Sequence, residues 1–465
     1  MVVVIGAGHN GLVAAVRLAE AGRDVTVVEA AGAPGGGVRS VERDGFVHDE
    51  CGAFFPLAAA SPAFRAIELD VEWVNPPVAM AHVLEDGGEV ALHRDVEDTV
   101  ASLEACAPGG GERWRDLVER LWPVRASLVQ TALGPFPPLR PAARVARRLG
   151  RTGLYLAAST SAGLARRLSF DERAAGWLAG SGAHADISPF EIGSGAISLG
   201  LNFLGHLVGW PFPRGGASRI TDALVERLRA AGGELRCSAP TEAIERGAVR
   251  LAGGERLEAD AILCTASPAV LTALLPPDAL PSRLYRWRYG VGTIKVDYQL
   301  DAPVPWRSQA ARQAGVVHVG GTVSEIAESA IVVGQQSLHD PTRAPQGRHT
   351  LYAYSRMLDT ADRIDERIER FAPGFRHTIA NRAVRTPEDI AEANPSMVGG
   401  DLASGSVKAD QQLILRPDPR LCRYRTPIRG LYVAGAWVHP GAGVHGMSGW
   451  NAAGLILGRC GLRSW

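Results

Sequence analysis

Four apolar residues lead directly into a glycine-rich turn in Val2-Val3-Val4-Ile5-Gly6-Ala7-Gly8-His9-Asn10-Gly11. Residues 12–21, which follow, have the composition of a helix. A second apolar run, Val25-Thr26-Val27-Val28, comes after a short turn and ends at Glu29. Short, fully apolar runs on both sides of a helix are typical of parallel strands that are buried on both faces. The stretch therefore predicts a strand–helix–strand unit with parallel strands.

The glycines of this turn have the spacing of a dinucleotide-binding site. Gly6 allows the tight turn, Gly8 lets the backbone approach a pyrophosphate, and Gly11 lets the helix pack closely against the strand. The helix N-terminus offers free N–H groups and the positive end of its dipole to phosphates. Glu29 follows Gly11 by 18 residues, and its carboxylate can accept hydrogen bonds from ribose hydroxyls while repelling a 2′-phosphate. The unit predicts a dinucleotide site that disfavours NADP.

A second glycine cluster, Pro34-Gly35-Gly36-Gly37-Val38-Arg39-Ser40, helps to choose between FAD and NAD. Three consecutive glycines form neither a good helix nor a good strand, but they let the backbone lie against a flat ring or a phosphate. Arg39 adds a fixed positive charge nearby. We therefore predict that Gly36, Gly37 and Arg39 contact the cofactor. The alternative is a plain flexible loop.

A third glycine-rich segment lies towards the C-terminal side. Residues 426–436 predict a strand that ends near Gly435, and residues 448–460 predict a helix. The loop between them repeats the GxGxxG spacing at residues 441–446. We predict that this loop leads into a helix N-terminus that stabilises negative charge on a bound cofactor. His439 and His445 in the loop are either proton relays or residues that shape the cavity.

These stretches resemble the flavoproteins with two dinucleotide-binding domains, which include amine oxidases and phytoene desaturases. The middle of the chain is similar too, because residues 220–231 predict a helix and residues 234–244, 249–251 and 259–265 predict a hairpin and a buried strand. The similarity to the phytoene-desaturase-like branch rests on residues 8–15, 48–51, 396–401 and 441–447.

The resemblance implies an α/β fold with FAD as the cofactor. A Rossmann-like FAD-binding domain would be assembled from residues 1–75, 210–275 and 425–465, and a discontinuous mixed α+β substrate-binding domain from residues 76–209 and 276–424. It also implies that backbone near Thr241 touches the adenine and that Gly435 lies near the pyrophosphate. The flavin contacts that it implies before the last helix are Gly443, Val444, Gly446 and Met447.

Lys295 is the candidate catalytic residue. It lies in residues 292–300, whose alternation predicts a half-buried strand. The strand resembles one in amine oxidases whose lysine binds a water at flavin N5, and a desolvated lysine there could polarise that water or assist the reaction of reduced flavin with oxygen. The alternative is an edge-strand lysine on a surface face that it shares with Thr293 and Asp297.

Residues 121–170 contain eight arginines and no Asp or Glu, interspersed with apolar side chains. Such a segment is suited to peripheral contact with an anionic membrane, from which a lipid-soluble substrate could enter. The alternative is a solvated basic face that pairs with acids elsewhere in the fold. The arginines are Arg125, Arg140, Arg144, Arg147, Arg148, Arg151, Arg166 and Arg167.

Composition narrows the remaining classes. Of 465 residues, 49 are basic and 49 acidic, so the zero net charge argues against a nucleic-acid binder. No His/Cys spacing typical of a metal site is present, so no metal is expected. The scattered cysteines form no CxxC, and we expect reduced thiols in a cytoplasmic protein.

The sequence therefore predicts an FAD-dependent oxidoreductase that transfers a hydride from an apolar substrate, such as a polyene or a secondary metabolite, to flavin N5. Oxygen or a quinone would then reoxidise the flavin. One alternative is a flavin amine oxidase that forms hydrogen peroxide, with an aromatic pair drawn from Trp210, Tyr352, Tyr354 and Trp437. The other is a non-catalytic prenyl or lipid carrier of the same fold.

Overall fold

The structure is a computed structural model that describes residues 1–421 and 423–458. The strands in chain order are β1 (Val2–Ile5), β2 (Val25–Val28), β3 (Ser40–Arg43), β4 (Phe46–Asp49), β5 (Trp73–Val74), β6 (Val78–Val83), β7 (Glu89–Leu92), β8 (Phe212–Pro213), β9 (Glu234–Arg236), β10 (Thr241–Glu245), β11 (Ala248–Leu251), β12 (Arg256–Glu258), β13 (Ala261–Cys264), β14 (Ile294–Leu300), β15 (Ala314–Val319), β16 (Ile331–Gly334), β17 (His349–Ser355), β18 (Ile379–Arg385) and β19 (Leu431–Val433).

Helices connect and cover these strands. In chain order they are α1 (His9–Glu20), α2 (Pro56–Ala59), α3 (Pro62–Ile67), α4 (Val96–Cys106), α5 (Gly110–Leu121), α6 (Arg125–Leu133), α7 (Leu139–Leu149), α8 (Arg151–Ala158), α9 (Ser161–Arg167), α10 (Glu172–Gly182), α11 (Ser194–Val208), α12 (Ser218–Ala230), α13 (Pro268–Ala273), α14 (Ser282–Tyr285), α15 (Val323–Ser329), α16 (Ala361–Phe371), α17 (Phe375–Thr378), α18 (Pro387–Ala393) and α19 (Met447–Ile456).

A five-stranded parallel sheet contains the predicted strand–helix–strand unit. Its order is β19-β13-β1-β2-β9, so three separate parts of the sequence contribute neighbouring strands. β1 and β2 are fully buried, as their apolar sequences predict, and α12 and α19 both pack against α1. The predicted α/β fold with a Rossmann-like sheet is therefore present.

One predicted strand is divided in two. We expected residues 234–244 to be continuous, but Ser238 adopts a positive φ of 52° and Pro240 follows it. The first part, β9, joins the parallel sheet, whereas β10 begins a three-stranded antiparallel sheet with β11 and β12. The prediction that the last helix extends to residue 460 concerns a residue outside the described part of the chain.

A second, seven-stranded sheet has the order β18-β14-β17-β16-β15-β6-β7 and is antiparallel except between β15 and β6. Val296 and Tyr298 of β14 belong to an apolar cluster that contains α16 residues, whereas Val316 and Val332 belong to one that contains α10 residues. The sheet is thus covered on both faces. A buried ion pair, Arg343 Nη1 to Asp49 Oδ1 at 3.0 Å, joins residues that lie far apart in the sequence.

Across residues 1–421 and 423–458, no helix combines the length and the apolar composition that crossing a bilayer requires. The uncharged stretch 192–213 contains α11, whose buried polar residues include Ser198 and Asn202. Cys51, Cys106, Cys237 and Cys264 are free thiols. The cytoplasmic location stays a prediction.

Candidate functional site

The first glycine turn is shaped by close contacts at two positions and is open at the third. Gly6 has a φ of +99°, and a Cβ there would lie 2.6 Å from Thr265 Oγ1. A Cβ at Gly11 would overlap the carbonyl oxygen of Gly6. At Gly8, by contrast, a Cβ would meet nothing within 4 Å, so the backbone at the start of α1 faces free space. This geometry suits a phosphate that approaches the backbone.

Glu29 lies at the end of β2 and supports the same turn. Its carboxylate accepts hydrogen bonds from the backbone N–H groups of Ala7, at 2.7 Å, and Ala31, at 3.0 Å. The N–H of Ala239 donates to the backbone carbonyl of Glu29 at 2.9 Å, which brings the segment that leads to Thr241 alongside it. Thr241 Oγ1 is buried and has no hydrogen-bond partner among the described residues.

The second glycine cluster lies directly against the first. The N–H of Gly35 donates to the carbonyl of Ala7 at 2.9 Å, and a Cβ at Gly36 would lie 3.4 Å from the Cα of Gly8. A Cβ at Gly37 would lie 2.8 Å from the terminal methyl of Met397, so that position too is closely packed. The structure therefore brings both predicted clusters together instead of leaving the second as a free loop.

Arg39 does not stand alone beside this cluster. Arg39 Nε donates to one carboxylate oxygen of Glu50 at 2.6 Å, and Arg385 Nη2 donates to the other at 2.9 Å. Burial alone would raise the pKa of the Glu50 carboxyl, but the hydrogen bonds and charges of Arg39 and Arg385 hold that pKa below its ordinary value. Because Arg385 ends β18, this triad links the glycine loop to the seven-stranded sheet.

The C-terminal glycine loop packs onto the same turn. The N–H of Gly435 donates to Ser448 Oγ at 3.0 Å, and a Cβ at Gly435 would lie 2.8 Å from the carbonyl oxygen of Thr265. Thr265 Oγ1 also donates to the carbonyl of Ile5 at 2.9 Å. Thr265 therefore contacts both glycine segments, a role that no local motif indicated.

The residues predicted to follow Gly435 at the cofactor are close to α1 and its surroundings. A Cβ at Gly446 would lie 2.7 Å from Val13 Cγ2, and one at Gly443 would lie 2.5 Å from Leu57 Cδ1. Val444 is half-buried, and the N–H of Met447 donates to His445 Nδ1 at 3.0 Å. The glycine segments from the two ends of the sequence therefore meet at one place.

Buried polar atoms around this meeting point have no partner among the described residues. They include Asn10 Oδ1 and His445 Nε2. Burial, with a smaller contribution from His9, lowers the pKa of His445 to about 3, and burial lowers that of His9 to about 4, so both imidazoles are neutral at neutral pH. His439 Nε2 instead lies 2.9 Å from the carbonyl of Gly134. Unsatisfied buried polar atoms beside an open turn fit a large polar ligand such as a dinucleotide.

Lys295 is buried, with only 2% of its side chain exposed. β14 lies between β18 and β17, and six of its seven residues are buried, so both the half-buried strand and the edge-strand alternative are wrong. The sequence could not reveal this, because β18 and β17 are distant partners. The Lys295 ammonium forms an ion pair with Asp297 and lies 5.5 Å from the ring centroid of Tyr352.

Cross-strand register places a set of side chains on one face of the seven-stranded sheet. Lys295 lies opposite Tyr354, and Asp297 lies opposite Tyr352. The two tyrosine rings stack with centroids 6.2 Å apart, and Tyr354 Oη lies 3.2 Å from His184 Nδ1. His184 in turn makes an edge contact with Trp210 at 5.1 Å.

Trp437, the fourth aromatic candidate, lies elsewhere. Its Nε1 donates to the carbonyl of Ala266 at 2.7 Å, and it belongs to the core that surrounds the parallel sheet. Three of the four aromatic candidates are therefore brought together.

The arginine-rich segment forms α6 to α9, and all eight of its arginines are exposed. Among the described residues, none of these arginines forms an ion pair with a carboxylate, so the alternative of a basic face that pairs with acids elsewhere is wrong. Leu139 and Leu154 are 72% and 74% exposed on the same helical segment. Arg125 and Arg167 lie over the rings of Trp122 and Tyr155.

Comparison with known proteins identifies the class to which this fold and site belong. Residues 11–457 match the family described as flavin containing amine oxidoreductase, and the chain belongs to that family. It is accordingly an FAD-dependent oxidoreductase, which confirms the predicted resemblance, fold class, cofactor and enzyme class.

Individual relatives come from both branches of the resemblance. The chain is 26% identical to pyridine nucleotide-disulfide oxidoreductase domain-containing protein 2 of Rattus norvegicus, over 98% of this chain and 93% of the relative. It is 28% identical to hydroxyneurosporene desaturase of Cereibacter sphaeroides, over 100% and 98%. Cyclohexylamine oxidase from Brevibacterium oxydans has a similar fold, with a TM-score of 0.61 at 16% identity and 98% coverage of both chains.

The glycine turn yields a paired prediction. We expect Gly11→Ala to destabilise the protein by about 1–3 kcal/mol, because its Cβ overlaps the Gly6 carbonyl, and to lose bound flavin. Gly8→Ala should leave the melting temperature of the FAD-free protein unchanged and still weaken FAD binding. Thermal unfolding and flavin titration measure the two effects. Undiminished FAD affinity in Gly8→Ala would contradict a cofactor that lies against this turn.

Proposed function

We propose that this FAD-dependent oxidoreductase removes a hydride from a C–H bond of an uncharged, lipophilic small molecule of the polyene or secondary-metabolite type. FAD, when bound, supplies the hydride acceptor. The observation that carries the proposal is the charge balance on the sheet face that bears Tyr352 and Tyr354. Asp297, the carboxylate on that face, is already paired with Lys295, and burial lowers the pKa of His184 to about 3. A cationic amine would find no unpaired anion among these side chains.

The names of relatives support the same substrate class. One of the polypeptides of limonene dehydrogenase from Castellaniella defragrans is 25% identical over 100% of this chain, and hydroxyneurosporene desaturase is also similar over its full length. Both names describe the dehydrogenation of lipophilic molecules. Membership of an oxidoreductase family also favours catalysis over the non-catalytic carrier.

Amine oxidation is the second candidate, and the stacked pair of Tyr352 and Tyr354 is the observation that favours it. Anaerobic mixing of the holoenzyme with candidate substrates separates the two functions. We expect bleaching of the oxidised flavin by polyenes or terpenes and not by simple amines. Bleaching by amines, with hydrogen peroxide formed when air is admitted, would favour the second candidate. The same experiment in air or with added quinone identifies the electron acceptor.

For the cofactor site, we propose that Gly6, Gly8, Gly11 and the N-terminus of α1 bind the FAD pyrophosphate. Glu29 would bind the ribose, and Thr241 would lie at the adenine. The contacts and unpartnered polar atoms described above support this arrangement. The remaining proposed FAD contacts are Gly36, Gly37, Arg39, Gly435, Gly443, Val444, Gly446 and Met447.

Glu29 provides a direct test of the ribose assignment. Glu29→Arg removes the acceptor and adds a repelling charge, so we expect FAD affinity to fall at least about a hundredfold. Glu29→Gln keeps the shape and one acceptor oxygen, and the loss should be smaller. Titration of the FAD-free protein with FAD measures both. Equal affinities in all three proteins would refute the assignment.

We further propose that Lys295 is catalytic and assists the reaction of reduced flavin with oxygen. Lys295→Met should slow reoxidation of the photoreduced holoenzyme by at least about tenfold. The chain offers a matched control, because its one other lysine, Lys408, is 59% exposed and pairs with Glu191. Lys408→Met should reoxidise at the wild-type rate. A wild-type rate in Lys295→Met removes this residue from the mechanism.

Finally, we propose that residues 121–170 contact an anionic membrane surface and give access to lipid-dissolved substrate. Exposed arginines without acidic partners and exposed leucines on the same segment support this contact. Each arginine near an anionic surface contributes about 1 kcal/mol.

Vesicle binding tests the membrane contact. Reversing Arg144, Arg147 and Arg148 to Glu should weaken binding to vesicles that contain phosphatidylglycerol by at least roughly a hundredfold. Changing the same residues to Lys keeps the charge and should preserve most of the binding. Vesicles of pure phosphatidylcholine provide the neutral reference. Equal sedimentation of all three proteins with anionic vesicles would exclude this surface.

A further inference from the structure

Lys295 and Asp297 form an isolated pair of buried charges on one strand. They occupy alternate positions of β14, so both side chains project from the same face, and each is 2% exposed. The ammonium and Asp297 Oδ1 are in direct contact. The other carboxylate oxygen, Oδ2, is buried and has no hydrogen-bond partner among the described residues.

His48 is the other titratable group that faces this carboxylate. It extends from β4, and its Nδ1 lies 3.8 Å from Asp297 Oδ1, too far for a hydrogen bond. Burial lowers the pKa of His48 to about 4 despite the nearby Asp297 charge, so its imidazole is neutral at neutral pH. Among the described side chains within ion-pair distance, Lys295 is therefore the cation that compensates Asp297.

A role in holding the fold together explains this pair poorly. Lys295 and Asp297 are neighbours on one strand, so their contact connects no separate elements. The Arg343–Asp49 pair, in contrast, joins residues from distant parts of the sequence. Buried ion pairs are also weak sources of stability, because desolvation of both charges offsets their attraction.

Positioning of the lysine explains the pair better. A lysine side chain has four rotatable methylenes, and its ammonium has no fixed direction of its own. Contact with Asp297 fixes that ammonium along the strand, beside the ring of Tyr352. We propose that Asp297 is a positioning residue that holds the charged Lys295 in place for its reaction, an inference that rests on the proposed role of Lys295 at the flavin.

A double-mutant cycle tests this coupling in the holoenzyme. The variants are Lys295→Met, Asp297→Asn and the two combined, and the measurement is the rate at which oxygen reoxidises photoreduced enzyme. We expect Asp297→Asn to slow reoxidation about tenfold to a hundredfold. The double variant should be no slower than Lys295→Met, because Asp297 acts through the lysine.

Asp365 provides the matched control. It is also a buried carboxylate paired with a basic side chain, Arg382, but it contacts Tyr298, which projects from the opposite face of β14. Asp365→Asn should reoxidise at the wild-type rate even if its melting temperature falls. A merely structural effect would slow both Asp variants alike and would overturn the proposal.

Unfolding by denaturant gives a readout that does not depend on turnover. Each single variant leaves one buried group without its partner and should unfold at lower denaturant, whereas the double variant should regain most of the loss. Additive unfolding midpoints or additive rates would show that the two residues act independently and would overturn the proposal. If Lys295→Met slows reoxidation and Asp297→Asn does not, the positioning role fails alone. If neither slows it, the proposed role of Lys295 fails as well.

Discussion

Close approach of backbone to backbone around the first glycine turn is the constraint on which the rest of the structure depends. Gly11 lies against the carbonyl of Gly6, and a Cβ at Gly449 would overlap the carbonyl of Asn10. Gly435 is similarly close to Thr265. Strands and loops that are hundreds of residues apart in the sequence meet here only because these positions carry no side chain, and the opening left at Gly8 is the place that a phosphate can fill.

The sequence was informative where the controlling interactions are local. The bounds of β1 and β2 agree with their apolar runs, because a buried parallel strand needs little besides such a run and the turn that follows it. The glycine spacing similarly predicted a dinucleotide site, since each glycine answers a steric requirement within a few residues. Chemistry that depends on one short segment is visible without a structure.

Interactions between distant segments account for what the sequence could not give. Thr265 has no motif of its own, and its importance arises because β13 lies between β1 and β19. Lys295 in an alternating strand suggested a surface position, but the pairing of β14 with β18 and β17 buries it. The same register brings Tyr352 and Tyr354 beside Lys295. Which strands are neighbours, and hence which side chains share a face, is set by long-range pairing.

The order in which the parallel sheet is assembled has a consequence for biosynthesis. β1 and β2 emerge from the ribosome early, but β13 and β19, which complete one side of the sheet, follow only after residues 261 and 431. The intervening chain must be accommodated before these late strands can dock, and such long-range pairing is slow. The nascent protein therefore passes most of its synthesis with an unfinished sheet edge, and FAD can stabilise the fold only when translation is nearly complete.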